Sequence, residues 1–441
     1  MTDADPKVAL ESRRLGSTLA QPHPRASRKW RRLGLLFAAI ALPLWGLWLS
    51  GAISNRHVPL PSTRVEATIG TEGWALPGRD AAHSSAMPIN SRVQGDILWR
   101  FETNSTLGSA PAVAQGKVFL TTGDKRLFAL DERTGALVWE RNLPALTSAS
   151  PTLTDDLVYL TLRDGQVIAL DVMNGAIRWT FQSPNLFSAS AVIHRGVVYA
   201  ASWGGTVHAL DAVSGLELWT FQTEGRIVAP LAFAENLMAV AIDDGLVHII
   251  DTVDAGKRLT YSTGFIVLES PVFTHDRVLV STAKGRIAAI DPSKIEYPFE
   301  RGLRYWRQQL FIWGLQPHPP IPKGHVWGRK LAGNVELSSP AVANGVAFVA
   351  SADGQVHALN VTDGDSLWTY DAGVRIQTFT TVAGNRVYVG TDDGDVLVLD
   401  VTDGSVEQRI HLGTPLRGSV VVTDGALYVT SQEPGMLFAV R

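Results

Sequence analysis

The chain has 441 residues, 45% of them hydrophobic, a formal net charge of −3 and no cysteine. That length admits one large domain with accessories, and the missing thiols exclude disulfides, thiolate metal sites and a lipid-modified N-terminal cysteine. Residues 1–32 carry eight Lys/Arg against three acids and residues 292–331 seven against two, so the rest carries −13 and lacks the basic face that a nucleic-acid partner needs.

In chain order, residues 1–32 read as a basic tail. Residues 33–53 form 21 residues without a charge, long enough to cross a hydrocarbon core as a transmembrane helix. The positive-inside rule puts the tail in the cytoplasm and the remainder on the extracytoplasmic side of the cell membrane, as a single-pass protein. A cleaved signal peptide competes, because Ser50-Gly51-Ala52 resembles a small-residue cleavage site, but the apolar run exceeds most h-regions and a retained anchor is favoured. Residues 54–72, with Pro, Thr and Gly and no periodicity, read as a linker between membrane and domain.

A phrase then recurs. "LFALDERTGALVW" ends at Trp139, "VIALDVMNGAIRW" at Trp179 and "VHALDAVSGLELW" at Trp219. Asp131, Asp171, Asp211, Asp251 and Asp291 keep a spacing of 40, and after one interruption Asn360, Trp368 and Asp400 resume it, with Arg441 as the last equivalent. Each unit holds four short β-rich runs separated by turn signals such as Asp164-Gly165 and Asn174-Gly175. A period of 40 without room for a helix predicts an all-β, eight-bladed propeller of four-stranded antiparallel blades over residues 73–441. The orphan run at 95–102 is expected to close the ring by joining the three C-terminal strands, which removes exposed edges.

The pattern A-x-D-x-x-x-G-x-x-x-W resembles the tryptophan-docking motif of the PQQ-like (pyrrolo-quinoline quinone) repeat family, which includes quinoprotein dehydrogenases and BamB-type assembly lipoproteins. "GWALPGRDAAHSSA" at 73–86 resembles that family's leading segment. The repeat residues Asp131, Trp139, Asp171, Trp179, Asp211, Trp219, Trp368 and Asp400 have a structural reading: the carboxylate accepts from turn N–H groups and the indole covers the gap between blades. Leu259 and Gln408 stand where tryptophan is expected.

The resemblance leaves function open. A PQQ enzyme of the family would hold the quinone and calcium at the centre, commonly with a vicinal cysteine pair, and this chain has no cysteine; no cofactor and no metal are expected. His208, His248 and His357 share one slot on different blades, which radiate apart, and read as packing. At one slot of the first strands the chain has Ser109, Ala149, Ala189, Ala229, Glu269, Ser338, Thr378 and Gly418. Glu269 alone is charged there, and Arg226, Arg375, Arg417 and Glu336 in nearby slots are expected to converge with it, either binding an anionic ligand or peptide carboxylate or plugging the channel with salt bridges. Trp203, on a hairpin tip, reads as a contact residue or local packing.

The insertion at 292–331 places Leu303, Trp306, Leu310 and Trp313 on one helical face with Arg301, Arg304 and Arg307 among them. It reads as an interfacial membrane segment, a partner-docking arm or a lid folded onto the propeller. The expected function is a non-catalytic, membrane-anchored scaffold with a protein partner; a PQQ-dependent dehydrogenase and an extracytoplasmic ligand sensor are the alternatives.

Overall fold

The computed structural model describes residues 58–63, 65–67, 73–88, 93–107, 109–297, 299–431 and 435–441, without the side chain of Arg301. The tail and the apolar run at 33–53 lie outside them. Among the described residues no helix is long and apolar enough to cross a membrane.

The repeats fold as read from the sequence. Blade 1 is the meander Ala112–Ala114, Lys117–Thr122, Arg126–Asp131 and Leu137–Asn142. Blades 2 to 7 repeat it over residues 152–182, 192–222, 232–262, 272–330, 341–371 and 381–411. Blade 8 combines Val421–Thr423, Ala426–Ser431 and Met436–Val440 with Ile97–Glu102, which pairs from Ile97 opposite Val440 to Glu102 opposite Met436. Second and third strands are buried almost throughout, whereas fourth strands alternate and face solvent at the rim. That gradient follows from geometry, since the inner strands of a ring are covered on both faces by neighbouring blades.

The repeat motif joins one blade to the next. Asp171 Oδ1 accepts from the N–H of Met173 (2.9 Å) and Asn174 (3.2 Å), and Asp131, Asp211 and Asp400 serve their own turns the same way. The indole N–H of Trp139 donates to Val172 O, that of Trp179 to Ala212 O and that of Trp368 to Val401 O. Each indole lies on a glycine of the following blade: a Cβ on Gly215 (φ +72°) would sit 2.6 Å from Trp179 Cδ2. Blade 4 has Ala255 at that position, and Trp219, which stands before it, makes no indole bond of this kind among the described residues. In every blade the fourth strand carries a bulge just before the tryptophan slot, a device that re-aims one side chain. After the insertion Trp327 returns to the slot and donates to Val361 O at 2.8 Å.

Eight inner strands leave eight backbone edges at the centre, and buried N–H groups need partners. Residues 74–85 supply them in six blades. Trp74 O accepts from Val113 N, Ala75 O from Leu153 N, Ala81 O from Phe233 N, Ala82 O from Phe273 N, Ser84 O from Val342 N and Ser85 O from Val382 N, so one segment meets six blades. Blade 3 is met earlier in the chain, where Val65 O accepts from Gly196 N and the Ser62 N–H and Oγ–H donate to Asp211 Oδ2 at 2.6 and 2.7 Å.

The meander gives the ring two faces. The first-to-second and third-to-fourth strand turns form one, here the turn face; the second-to-third hairpins and blade-to-blade connections form the other, the loop face.

Candidate functional site

Around the axis, hydroxyls of the inner strands bind several blades to a neighbour. Ser109 Oγ donates to Ala149 O at 3.0 Å, Thr161 Oγ1 to Ala189 O at 2.7 Å and Ser339 Oγ to Ser270 O at 3.0 Å. Small side chains at this slot are therefore a condition of closure, because eight chains converge there. The space they leave is a cavity of about 250 Å³ lined by serines of several blades, with Pro77, Gly78, His83 and Ser85 of the crossing segment as its floor. His83 is 3% exposed, and burial pushes its imidazole down to about 4.

Glu269 departs from the small-residue rule and lines this cavity together with Arg417. It also lines a second cavity of about 270 Å³, shared with Glu336 and Arg375. Burial, and then the neighbouring Glu336 carboxylate, push Glu269 up to about 8, so its carboxyl is a proton donor at neutral pH. No ion pair links Glu269, Glu336, Arg375 and Arg417 among the described residues, so the salt-bridge plug is absent there. What the structure brings together is a partly hollow, serine-lined cup whose mouth, on the loop face, carries two arginines and a second carboxylate.

Arg226 does not join this group. Its Nε donates to Asp243 Oδ2 at 2.6 Å, and its guanidinium lies 5.1 Å from the ring of Trp203. Trp203 is 39% exposed and forms, with Arg226 and Asp243, a separate aromatic and cationic patch on the loop face. Leu186, Arg226, Glu336 and Arg375 share one backbone task, their carbonyls accepting from the N–H of Trp203, Asp243, Ala352 and Asp392. The main chain alone does that work, so these bonds do not dictate the side chain at the slot.

The histidines stay apart. His208 bonds Glu217 and Ser183, His248 bonds Glu224 and Thr260, and His357 bonds Thr369, each beside its own blade. Among the described residues no three His, Cys, Asp or Glu side chains lie close enough to hold a metal ion. In the described channel Glu269 and Glu336 are the carboxylates and Arg417 and Arg375 the cations.

The insertion forms helix α1, Glu300–Ile312, between the third and fourth strands of blade 5. Its base is fixed: Lys323 Nζ donates to Glu300 at 2.7 Å and lies 4.6 Å from the Tyr297 ring, and Glu296 N–H donates to Arg258 O. Its body is only partly covered. Leu303, Trp306, Ile312 and Trp313 are each at least 60% exposed, and no described side chain of the helix is buried, so the lid reading fails.

Comparison with known proteins agrees with this geometry. The sequence profile described as outer membrane protein assembly factor BamB matches residues 89–204, 183–294 and 300–440. Among solved structures, BamB from Moraxella catarrhalis aligns at TM-score 0.61 and 19% identity over 78% of this chain and 97% of that one. The quinohemoprotein alcohol dehydrogenase of Comamonas testosteroni aligns at 0.66 and 13% over 84% and 80%, and the computationally designed protein Ika8 at 0.65 and 15% over 79% and 100%. No curated protein matches the sequence. With profile matches spanning most of its length, the chain belongs to the BamB family of PQQ-like repeat propellers.

Proposed function

We propose that this chain is a non-catalytic scaffold, tethered to the cell membrane by residues 33–53 with its propeller on the extracytoplasmic side, and that its loop face binds a protein partner. The observation that carries the reading is the loop face itself. A charged mouth over a shallow cup, with the Trp203–Arg226 patch nearby, presents arginines and an exposed ring, the residue types that dominate protein contacts. The family's name, that of an assembly factor, points the same way. Fold alone does not set function, so the test is direct. Membrane co-purification should yield a partner with the wild type and lose it with Arg375→Glu plus Arg417→Glu; an unchanged partner set refutes the loop-face site.

A dehydrogenase is the second reading, favoured by the likeness to quinohemoprotein enzymes and by the protonatable Glu269 inside a central cavity. Incubation with PQQ and calcium followed by desalting separates the two. Stoichiometric retained quinone with dye-linked alcohol oxidation would put the enzyme first.

A further inference from the structure

We propose that the blade-5 arm docks on an anionic lipid surface and holds the turn face of the propeller toward it. Three observations converge. The first is an inverted helix: the partly covered strip of α1 carries Arg304, Gln308 and Phe311, while Leu303, Trp306 and Trp313 turn to solvent. Phe299, Leu315 and Ile321 extend the exposed apolar surface at either end of the helix. A helix that packed on its own propeller would place these faces the other way round.

The second is charge. The insertion carries seven Lys/Arg against two acids on a chain whose remaining body is acidic. Glu300, the acid of the helix, is neutralised by Lys323, while Arg307 has no ion-pair partner among the described residues. Rings that enter the acyl boundary and guanidinium groups that meet phosphate are the two halves of an interfacial segment.

The third is where the chain leaves the ring. Ser62 is held on Asp211, at the third-to-fourth strand turn of blade 3, and the arm emerges from the same turn of blade 5, after Asp291. Both therefore belong to the turn face. The apolar run ends at residue 53, nine chain steps before Ser62, a reach of at most about 32 Å. A helix of 13 residues extends about 20 Å, which is shorter than that reach.

The absence of cysteine makes the test clean. Full-length protein carrying Leu303→Cys, labelled with an environment-sensitive fluorophore, is reconstituted in phosphatidylcholine vesicles with and without phosphatidylglycerol, each doped with spin-labelled lipid. With phosphatidylglycerol the emission should shift to the blue and be quenched by the lipid spin label, and high salt should reverse both. Arg307→Glu should lower the equilibrium constant for docking of the arm roughly fivefold. The same label at Lys284→Cys, on the loop face, should stay unquenched. Absent quenching, or equal quenching in neutral vesicles, overturns the proposal. So does shielding of the label without lipid, which would assign the arm to a protein partner or a second copy. Partner capture by the loop face is measured separately, so either idea can fail alone.

Discussion

Replacing His83 with glutamine should make the propeller less sensitive to mild acid. The imidazole sits in the channel floor, against Gly78, and its Nε2 has no partner among the described residues. Burial drives its pKa from 6.5 to about 4, and the bond to the Leu231 backbone opposes this only in part. Between those values the unfolded chain binds a proton that the folded one refuses, so the stability is complete above pH 6.5 and falls as pH drops toward 4. From pH 7 to pH 5 the loss amounts to about 2 kcal/mol. Asp211 and Glu224, both held down to about 2, exchange their protons below this window. Guanidinium unfolding at the two pH values, for wild type and His83→Gln, isolates the effect because other histidines cancel in the difference. The wild type should lose about 2 kcal/mol more than the variant. An equal loss in both would show that His83 is not held neutral and that the floor is wetter than the structure implies.

Closure gives a second expectation: removal of residues 1–103 takes away the floor and the eighth blade's outer strand and should yield aggregates, whereas removal of 1–66 should leave a soluble ring, as size-exclusion chromatography would show. Trp179→Ala should cost about 3–5 kcal/mol and Gly215→Ala about 1–3 kcal/mol in unfolding free energy, the first through a cavity and the second through overlap with the same indole. Burial raises the Asp211 carboxyl, but the Ser62 and Ser214 donors outweigh it. The resulting stability of about 2 kcal/mol is present above pH 4 and lost as pH falls toward 2, so Ser62→Ala should weaken the acid dependence of unfolding.

The ring was legible because its determinants are local and periodic. An aspartate, a glycine and a tryptophan at fixed spacing each make one contact that any blade needs, and the missing fourth strand announced its own replacement. Trp327 escaped because the insertion moved it out of step. The floor escaped for a deeper reason: residues 74–85 act through carbonyl oxygens, which every sequence possesses. Glu269 stood out as the charged exception among small residues, yet slot arithmetic could not aim its neighbours. Arg226 shares the backbone task of Glu336 and Arg375 but turns to Asp243 and Trp203 instead. In α1 the period revealed an apolar face, and only the fold showed that it is turned outward.

These placements bear on how a tethered propeller could present a site. A chain held at one point alone swings and rotates about that point, so a partner would meet its loop face in every orientation. A second contact on the same face, two blades from the first, removes rotation about the tether and most of the tilt. The ring between them can transmit that constraint because its blades are bonded through indoles, inner hydroxyls and a floor that meets six blades. On the proposed tethering by residues 33–53 the arm need bind lipid only weakly, since the tether would keep it near the surface at high effective concentration. Losing the arm should then leave membrane association intact and reduce partner capture, because the charged mouth would no longer be held facing away from the bilayer. Deleting residues 299–315 and measuring both quantities in membranes tests this: capture that stays at the wild-type level would show that orientation contributes nothing.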